Sequence, residues 1–225
     1  MIKNNLNTLV DKKKIVIGII GLGYVGLPLA ILFSKKKYRL IGFDIDKKKI
    51  EFINKGKSYI NRISHKEIKN LKKNNCFTTK FDQIKKCDFV IICVPTPLKK
   101  KTEPDCSFIE KTFSSIKDKL RDGQTIILES TSYPGTTREL ILNKLDKKFK
   151  VGTNFFIGFS SERINPGFNE KNIHLTPKVV SGSTKNCTDV VSNFYKKFFS
   201  KIHICKDLET AEFSKLLENI YRSVN

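Results

Sequence analysis

The chain has 225 residues, 39% of them hydrophobic, enough for one full domain and part of a second. Lys and Arg outnumber Asp and Glu by 43 to 22, a formal charge of +21, but the lysines are spread over the whole length. With no Arg-rich tail, aromatic–basic RNA motif or zinc-finger spacing, this charge reads as solvated surface, with neither nucleic acid nor membrane as a partner.

The longest uninterrupted apolar run, Phe89 to Val94, falls far short of the ~20 residues a membrane helix needs. Six cysteines without a CxxC pair and three histidines without ligand spacing argue against a metal site. No secretory leader is visible at the polar N-terminus, so a reducing cytoplasm is the expected compartment.

Residues 1–14 are polar and basic and read as a frayed arm. An apolar, β-branched strand at 15–20 leads into Gly21-Leu22-Gly23-Tyr24-Val25-Gly26, and helical spacing follows over about 24–36. This is the strand, turn and helix that opens a dinucleotide-binding fold. Gly21 permits the tight turn, Gly23 lets the backbone approach a pyrophosphate, and Gly26 lets the helix pack on the strand. The helix points its free N–H groups and positive dipole end at the phosphates. Tyr24 and Val25, within the loop, join the cofactor-binding candidates. A second strand at 39–44 ends in Asp44, eighteen residues after Gly26 and near the ~20 expected for the carboxylate that holds the ribose hydroxyls. An acid there repels a 2′-phosphate and favours NAD over NADP.

Short helices are expected at 47–55, stopped by Gly56, and from the capping-box pair Ser64 and Glu67 towards 73. A strand at 76–79 and a helical turn at 82–86 precede the apolar strand 88–94, of the kind buried on both faces of a parallel sheet. Val94-Pro95-Thr96-Pro97 then leaves the carboxyl end of that strand as an extended loop, where ligands bind in doubly wound sheets. Ser107 and Glu110 repeat the capping-box spacing and open a helix to about 120, whose Phe108, Ile109, Phe113, Ile116 and Leu120 read as a core stripe.

A strand at 125–129 ends in the hydroxyl-rich Ser130-Thr131-Ser132-Tyr133-Pro134-Gly135-Thr136-Thr137, where Thr136 or Thr137 is the expected cap of a helix to 145. A sixth strand, 154–159, meets a loop holding Glu162 and Arg163, which reads equally as a binding loop or as surface. A strand at 178–182, a helix from Ser183 or Thr184 to about 199 and a strand at 201–205 complete a doubly wound, Rossmann-like parallel sheet over 15–206. Residues 207–225 are strongly helical. Phe213, Leu216, Leu217, Ile220, Tyr221 and Val224 form an apolar stripe, and Lys215, Asn219 and Arg222 lie together on a polar face. No glycine or proline stop follows, so the helix reads as unfinished.

Four blocks in this order resemble the N-terminal part of the UDP-glucose/GDP-mannose dehydrogenase family over nearly the whole chain. They are Gly21 to Gly26, Val94 to Pro97, Glu129 to Thr137, and Glu218-Asn219-Ile220-Tyr221-Arg222 with Lys215. The Ser161-Glu162-Arg163-Ile164-Asn165-Pro166-Gly167 loop resembles the branch that acts on UDP-N-acetylhexosamines, such as the UDP-N-acetylglucosamine 6-dehydrogenases of surface-polysaccharide synthesis. Ser161 stands where the family usually has proline.

The resemblance implies a four-electron oxidation of a sugar C6 alcohol, through the aldehyde, to the carboxylate, with two NAD reduced. It implies that Gly21, Gly23, Gly26 and Asp44 hold NAD, that Val94, Pro95, Thr96 and Pro97 line the nicotinamide pocket, and that Ser130 and Thr131 also belong to the cofactor-binding set. Thr131 would position the catalytic water and Glu162 would act as general base in thioester hydrolysis. Lys215 and Asn219 would stabilise the oxyanion. Glu162, Arg163, Lys215, Asn219 and Arg222 make up the implied substrate-binding set.

The family's cysteine nucleophile, in a Gly-x-Cys loop beyond the central helix, and its UDP-binding C-terminal domain have no counterpart in this sequence. A thiolate is needed to trap the aldehyde. The chain is therefore expected to be inactive in the full reaction without a separate C-terminal half chain. A homodimer through the central helix is the further partner implied. The alternative is a non-catalytic NAD-binding module or the product of a decayed gene.

Overall fold

A computed structural model describes residues 2–97, 104–161 and 174–225. A short helix α1 (Ile2–Asp11) precedes strand β1 (Val16–Ile20), helix α2 (Gly26–Lys35) and strand β2 (Arg39–Phe43). Helix α3 (Lys47–Asn54) starts at Asp46, whose carboxylate accepts the Lys48 N–H at 2.8 Å. Helix α4 (His65–Lys72) carries the expected reciprocal capping box between Ser64 and Glu67.

Strand β3 (Cys76–Thr78), a 3-10 turn at Phe81–Lys86 and strand β4 (Phe89–Ile92) follow. Helix α5 (Ser107–Ile116) begins one residue earlier than the Ser107 capping box requires. Cys106 is its cap residue, and Asp105 Oδ1 accepts the Ser107 N–H at 3.0 Å. The Asp-x-Ser turn outcompetes the box because its carboxylate reaches the same end of the helix from outside. Strand β5 (Thr125–Leu128), helix α6 (Thr136–Leu140), strand β6 (Phe156–Phe159), strand β7 (Lys178–Gly182), helix α7 (Lys185–Tyr195), strand β8 (Ile202–Ile204) and helix α8 (Leu208–Val224) complete the described elements.

Among the described residues, eight strands form one sheet in the order β3-β2-β1-β4-β5-β6-β7-β8. The first six run parallel, in the 3-2-1-4-5-6 order of a doubly wound dinucleotide-binding sheet. Strand β7 departs from the all-parallel expectation: it runs antiparallel to β6, pairing Gly158 with Gly182 and Phe159 with Ser181. An antiparallel return needs no crossover helix, whereas α7 supplies one between the parallel strands β7 and β8. Alternate residues of β4 feed opposite cores. Phe89 and Ile91 pack with α1, α2, α4 and α7 on one face; Val90 and Ile92 pack with α5, α6 and the start of α8 on the other. Helices on both faces are why β4 is uninterruptedly apolar.

The N-terminal stretch corrects the expectation of a frayed arm. Leu6 and Val10, four residues apart, are buried in the core that α7 also enters. Lys3 pairs with Asp189 and Lys197 with Asp11, each at 2.7 Å, and the Tyr38 hydroxyl donates to Val10 O at 3.0 Å. The polar residues around Leu6 and Val10 add ties to α7, Lys3 to Asp189 and Asn7 Oδ1 accepting from Asn193 Nδ2 at 3.2 Å.

Candidate active site

Strands β1 and β4 lie side by side, but the chain leaves them in opposite directions, to β2 after β1 and to β5 after β4. That reversal opens a crevice at the carboxyl ends of the strands. Here it is a cleft of about 1060 Å³. The glycine loop (Gly21, Gly23, Tyr24, Val25) and Asp44 line one side. Val94, Pro95, Thr96, Ser130 and Thr131 line the next, and Lys215 and Asn219 close the far end. Gly26 lies beneath the loop and does not line the cleft.

The loop has the close backbone approach and open face that a phosphate would need. Gly21 has φ +91°, and a Cβ on it would meet Cys93 O at 2.6 Å. A Cβ on Gly26 would lie 1.9 Å from Gly21 O, so only glycine lets α2 start this close to β1. Above Gly23 there is open space, with nothing within 4 Å of the Cβ position. Helix α2 begins directly behind this opening, which suits a pyrophosphate.

Asp44 is buried at the end of β2. Its Oδ2 accepts from Leu22 N at 2.8 Å and lies 3.3 Å from Lys49 Nζ, and its Oδ1 accepts from Asp46 N at 2.9 Å. The carboxylate therefore braces the glycine loop and still lines the cleft, with acceptor capacity to spare for a ribose hydroxyl. Tyr59 completes the brace by donating to Leu22 O at 2.5 Å. Burial, and then the charges of Asp44 and Asp46, raise its phenol pKa above the ordinary value of 10.0. Sequence reasoning missed Tyr59, which stands 37 residues from Leu22.

At the β4 and β5 ends, Ser130 Oγ donates to Val94 O at 2.6 Å, tying the two cleft-lining segments together. Thr131 is exposed and lines the cleft. Beside them Glu129 faces both the cleft and the interior. Its Oε2 is 2.8 Å from Lys178 Nζ, both side chains being almost wholly buried, and its Oε1 accepts from the Tyr195 hydroxyl. Lys178 Nζ also lies 5.4 Å from the ring centre of Tyr195 and 5.2 Å from that of Phe199. A charged residue at one end of each of two apolar strands, Glu129 after β5 and Lys178 opening β7, was the available signal for this pair.

Helix α8 turns the side that carries Lys215 and Asn219 towards the cleft, as the resemblance implies. Leu208, Ala211, Glu212 and Lys215 are buried, whereas Phe213, Leu217, Ile220, Tyr221 and Val224 of the apolar stripe are exposed and its Leu216 is half-buried. The polar face, not the apolar one, turns inward. Lys215 Nζ lies 3.5 Å from Glu218 Oε2, and Asn219 lines the cleft one turn on.

Glu212 reaches the turn after β5, accepting from Gly135 N at 2.6 Å, Thr137 N at 2.8 Å and Thr137 Oγ1 at 2.6 Å. Burial pushes its carboxyl above the usual range, against the pull of these donors. This corrects the expectation that Thr136 or Thr137 caps α6. Gly135 is the cap residue, at φ +101°, and the acceptor comes from α8. Helix α6 ends at Leu140, short of 145, and a 3-10 turn follows at Leu142–Lys144.

Phe108 was expected in the core but is half-buried and lines the cleft, with Lys111, Thr112 and Ser115 of the same helix. Helix α5 lies across the cleft mouth, so its outer face contributes lining as well as core. Glu162 and Arg163 lie outside the described residues, and Arg222 lies on α8 with its side chain outside them.

Comparison with known proteins agrees with this geometry. The UDP-glucose/GDP-mannose dehydrogenase family, NAD binding domain, matches residues 15–199. Protein CapL of Staphylococcus aureus is 35% identical over 212 residues, covering 93% of this chain and 49% of that protein. UDP-N-acetyl-D-glucosamine 6-dehydrogenase of Pseudomonas aeruginosa is 35% identical over 216 residues, covering 95% of this chain and 51% of that protein. The solved structure of UDP-D-ManNAc dehydrogenase from Pyrococcus horikoshii superposes with a TM-score of 0.84 at 31% identity, covering 93% of this chain and 51% of that one. The chain thus spans about half the length of the curated relatives it matches. It belongs to the UDP-glucose/GDP-mannose dehydrogenase family, of which it carries the NAD-binding domain.

Proposed function

We propose that the chain is the NAD-binding portion of a nucleotide-sugar 6-dehydrogenase that oxidises the C6 alcohol of a UDP-N-acetylhexosamine to the uronate. Residues 15–206 form its cofactor domain and 207–225 the start of its central helix. The observation that carries this reading is a shared cleft. Thr131, Lys215 and Asn219 line the same space as the glycine loop and Asp44. NAD, when bound, supplies the two-electron acceptor.

In this reading Asp44 takes the ribose hydroxyls, and the loop at Gly21 and Gly23 takes the pyrophosphate. Val94, Pro95, Thr96 and Ser130 wall the nicotinamide end. Thr131 offers a hydroxyl to a water. Lys215 and Asn219 offer an ammonium and an amide N–H to an oxygen that gains negative charge, a role suited to fixed donors in a water-poor site. Glu162 as base and Arg163 and Arg222 as substrate contacts complete the proposed set.

The partner proposed for the exposed stripe of α8 is a C-terminal half carrying the thiol nucleophile and the UDP site. The half-length match to the relatives and the exposure of Leu217, Ile220 and Tyr221 support that assignment. A second copy of the chain is the other occupant.

The test is to mix the chain with NAD and UDP-N-acetylglucosamine and follow cofactor reduction. It is run alone and with the separately produced C-terminal half of the Pseudomonas relative. Turnover is expected only with the second half, and a Lys215→Ala chain is expected to lose about 100-fold or more. Turnover that ignores Lys215→Ala would overturn the assignment of that residue. An NAD-binding chain that no second half activates would leave a non-catalytic module.

A further inference from the structure

We infer that Glu212 is a positioning residue: by capping the turn after β5 from a distance, it holds α8 in the rotation that points Lys215 and Asn219 into the cleft. The inference rests on the proposed roles of those two side chains.

Three observations support it. First, α8 has little apolar anchorage. Of its hydrophobic side chains only Leu208 and Ala211 are buried, Leu216 is half-buried, and five others are at least 49% exposed. Hydrophobic packing alone would favour the opposite rotation, with the stripe inward. Second, the Glu212 side chain is wholly buried and its carboxylate accepts from Gly135 N, Thr137 N and Thr137 Oγ1. Donors on two residues fix both the height and the rotation of the helix at this point. Third, Lys215 and Asn219 follow Glu212 by three and seven residues, within about 60° of its direction, at rises of about 4.5 and 10.5 Å.

The anchoring turn continues the segment that carries Ser130 and Thr131, so one carboxylate sets the two sides of the cleft relative to each other. The second tie, Arg138 Nε to Glu209 Oε1 at 2.7 Å, is partly exposed and holds the helix only at its start.

The experiment uses the full chain and pulse acylation of lysines with acetic anhydride, read peptide by peptide by mass spectrometry, beside NAD titration. Lys178, buried in the sheet, reports global opening. In Glu212→Ala, labelling of Lys215 is expected to rise about tenfold or more, as befits loss of bonds to a charged acceptor. Lys178 should stay protected, and NAD affinity should change by no more than about threefold. Glu212→Gln is expected to fall between Ala and wild type.

If Glu212→Ala does not fold, Thr137→Val removes one donor at nearly constant shape and should raise Lys215 labelling in the same direction. Unchanged Lys215 labelling in a folded variant, or a rise shared equally by Lys178, would overturn the inference. Failure of the wild-type chain to bind NAD would overturn the cofactor reading instead and leave the labelling result to stand.

Discussion

Asp44 Oδ2 accepts the Leu22 N–H while the Tyr59 hydroxyl donates to Leu22 O, so one peptide of the glycine loop is gripped on both sides. The residue proposed to take the ribose hydroxyls is thereby also a structural brace. Removing one grip tests the other. Tyr59→Phe is expected to cost about 0.5–1.5 kcal/mol of stability, measured by urea denaturation, and to weaken NAD binding a few-fold through a looser loop.

The same tyrosine has a pH signature. Its folded pKa is raised above the ordinary 10.0, by burial first and then by Asp44 and Asp46. Its contribution is therefore complete below about pH 10 and is lost as pH rises towards the folded value. Stability curves of wild type and Tyr59→Phe should run apart at neutral pH and converge in strong alkali. Parallel curves throughout would contradict this.

Thr125 begins β5 fully buried, and its Oγ1 has no hydrogen-bond partner among the described residues. Thr125→Val keeps the shape and removes the stranded hydroxyl. Stability is expected to rise by about 1 kcal/mol. A loss of that size would reveal a partner for the hydroxyl.

Leu6 separates a packed α1 from a frayed arm. Leu6→Ala is expected to cost about 2–4 kcal/mol, the usual range for a buried leucine. A change within about 0.5 kcal/mol, typical of surface positions, would restore the frayed arm.

The thiols should separate by environment. Cys76 is exposed, whereas Cys87 is buried and its thiol is pushed up to about 12, by burial and then by Asp88. Iodoacetamide at pH 8 is expected to modify Cys76 first and to spare Cys87 until the chain unfolds.

What the sequence made legible was local. The glycine loop, the apolar strands and Asp44 are written within about 30 consecutive residues and follow from backbone sterics and periodicity. What it hid depends on distant partners. The rotation of α8 is set by Glu212 on Gly135 and Thr137, at least 75 residues away, and opposes the helix's own apolar pattern. The Glu129–Lys178 pair spans 49 residues. Phe108 fits the core stripe by spacing, and only the placement of α5 across the cleft mouth makes it lining. The reversal at β7 likewise leaves no mark in strand composition, since either direction buries the same side chains.

The most direct test of the central claim is calorimetric titration of the full chain with NAD and with NADP, beside an Asp44→Ala variant. The account predicts NAD binding, weaker or no NADP binding, and a loss of about tenfold or more in the variant. No NAD binding by a chain that circular dichroism shows to be folded, or binding indifferent to Asp44, would contradict it.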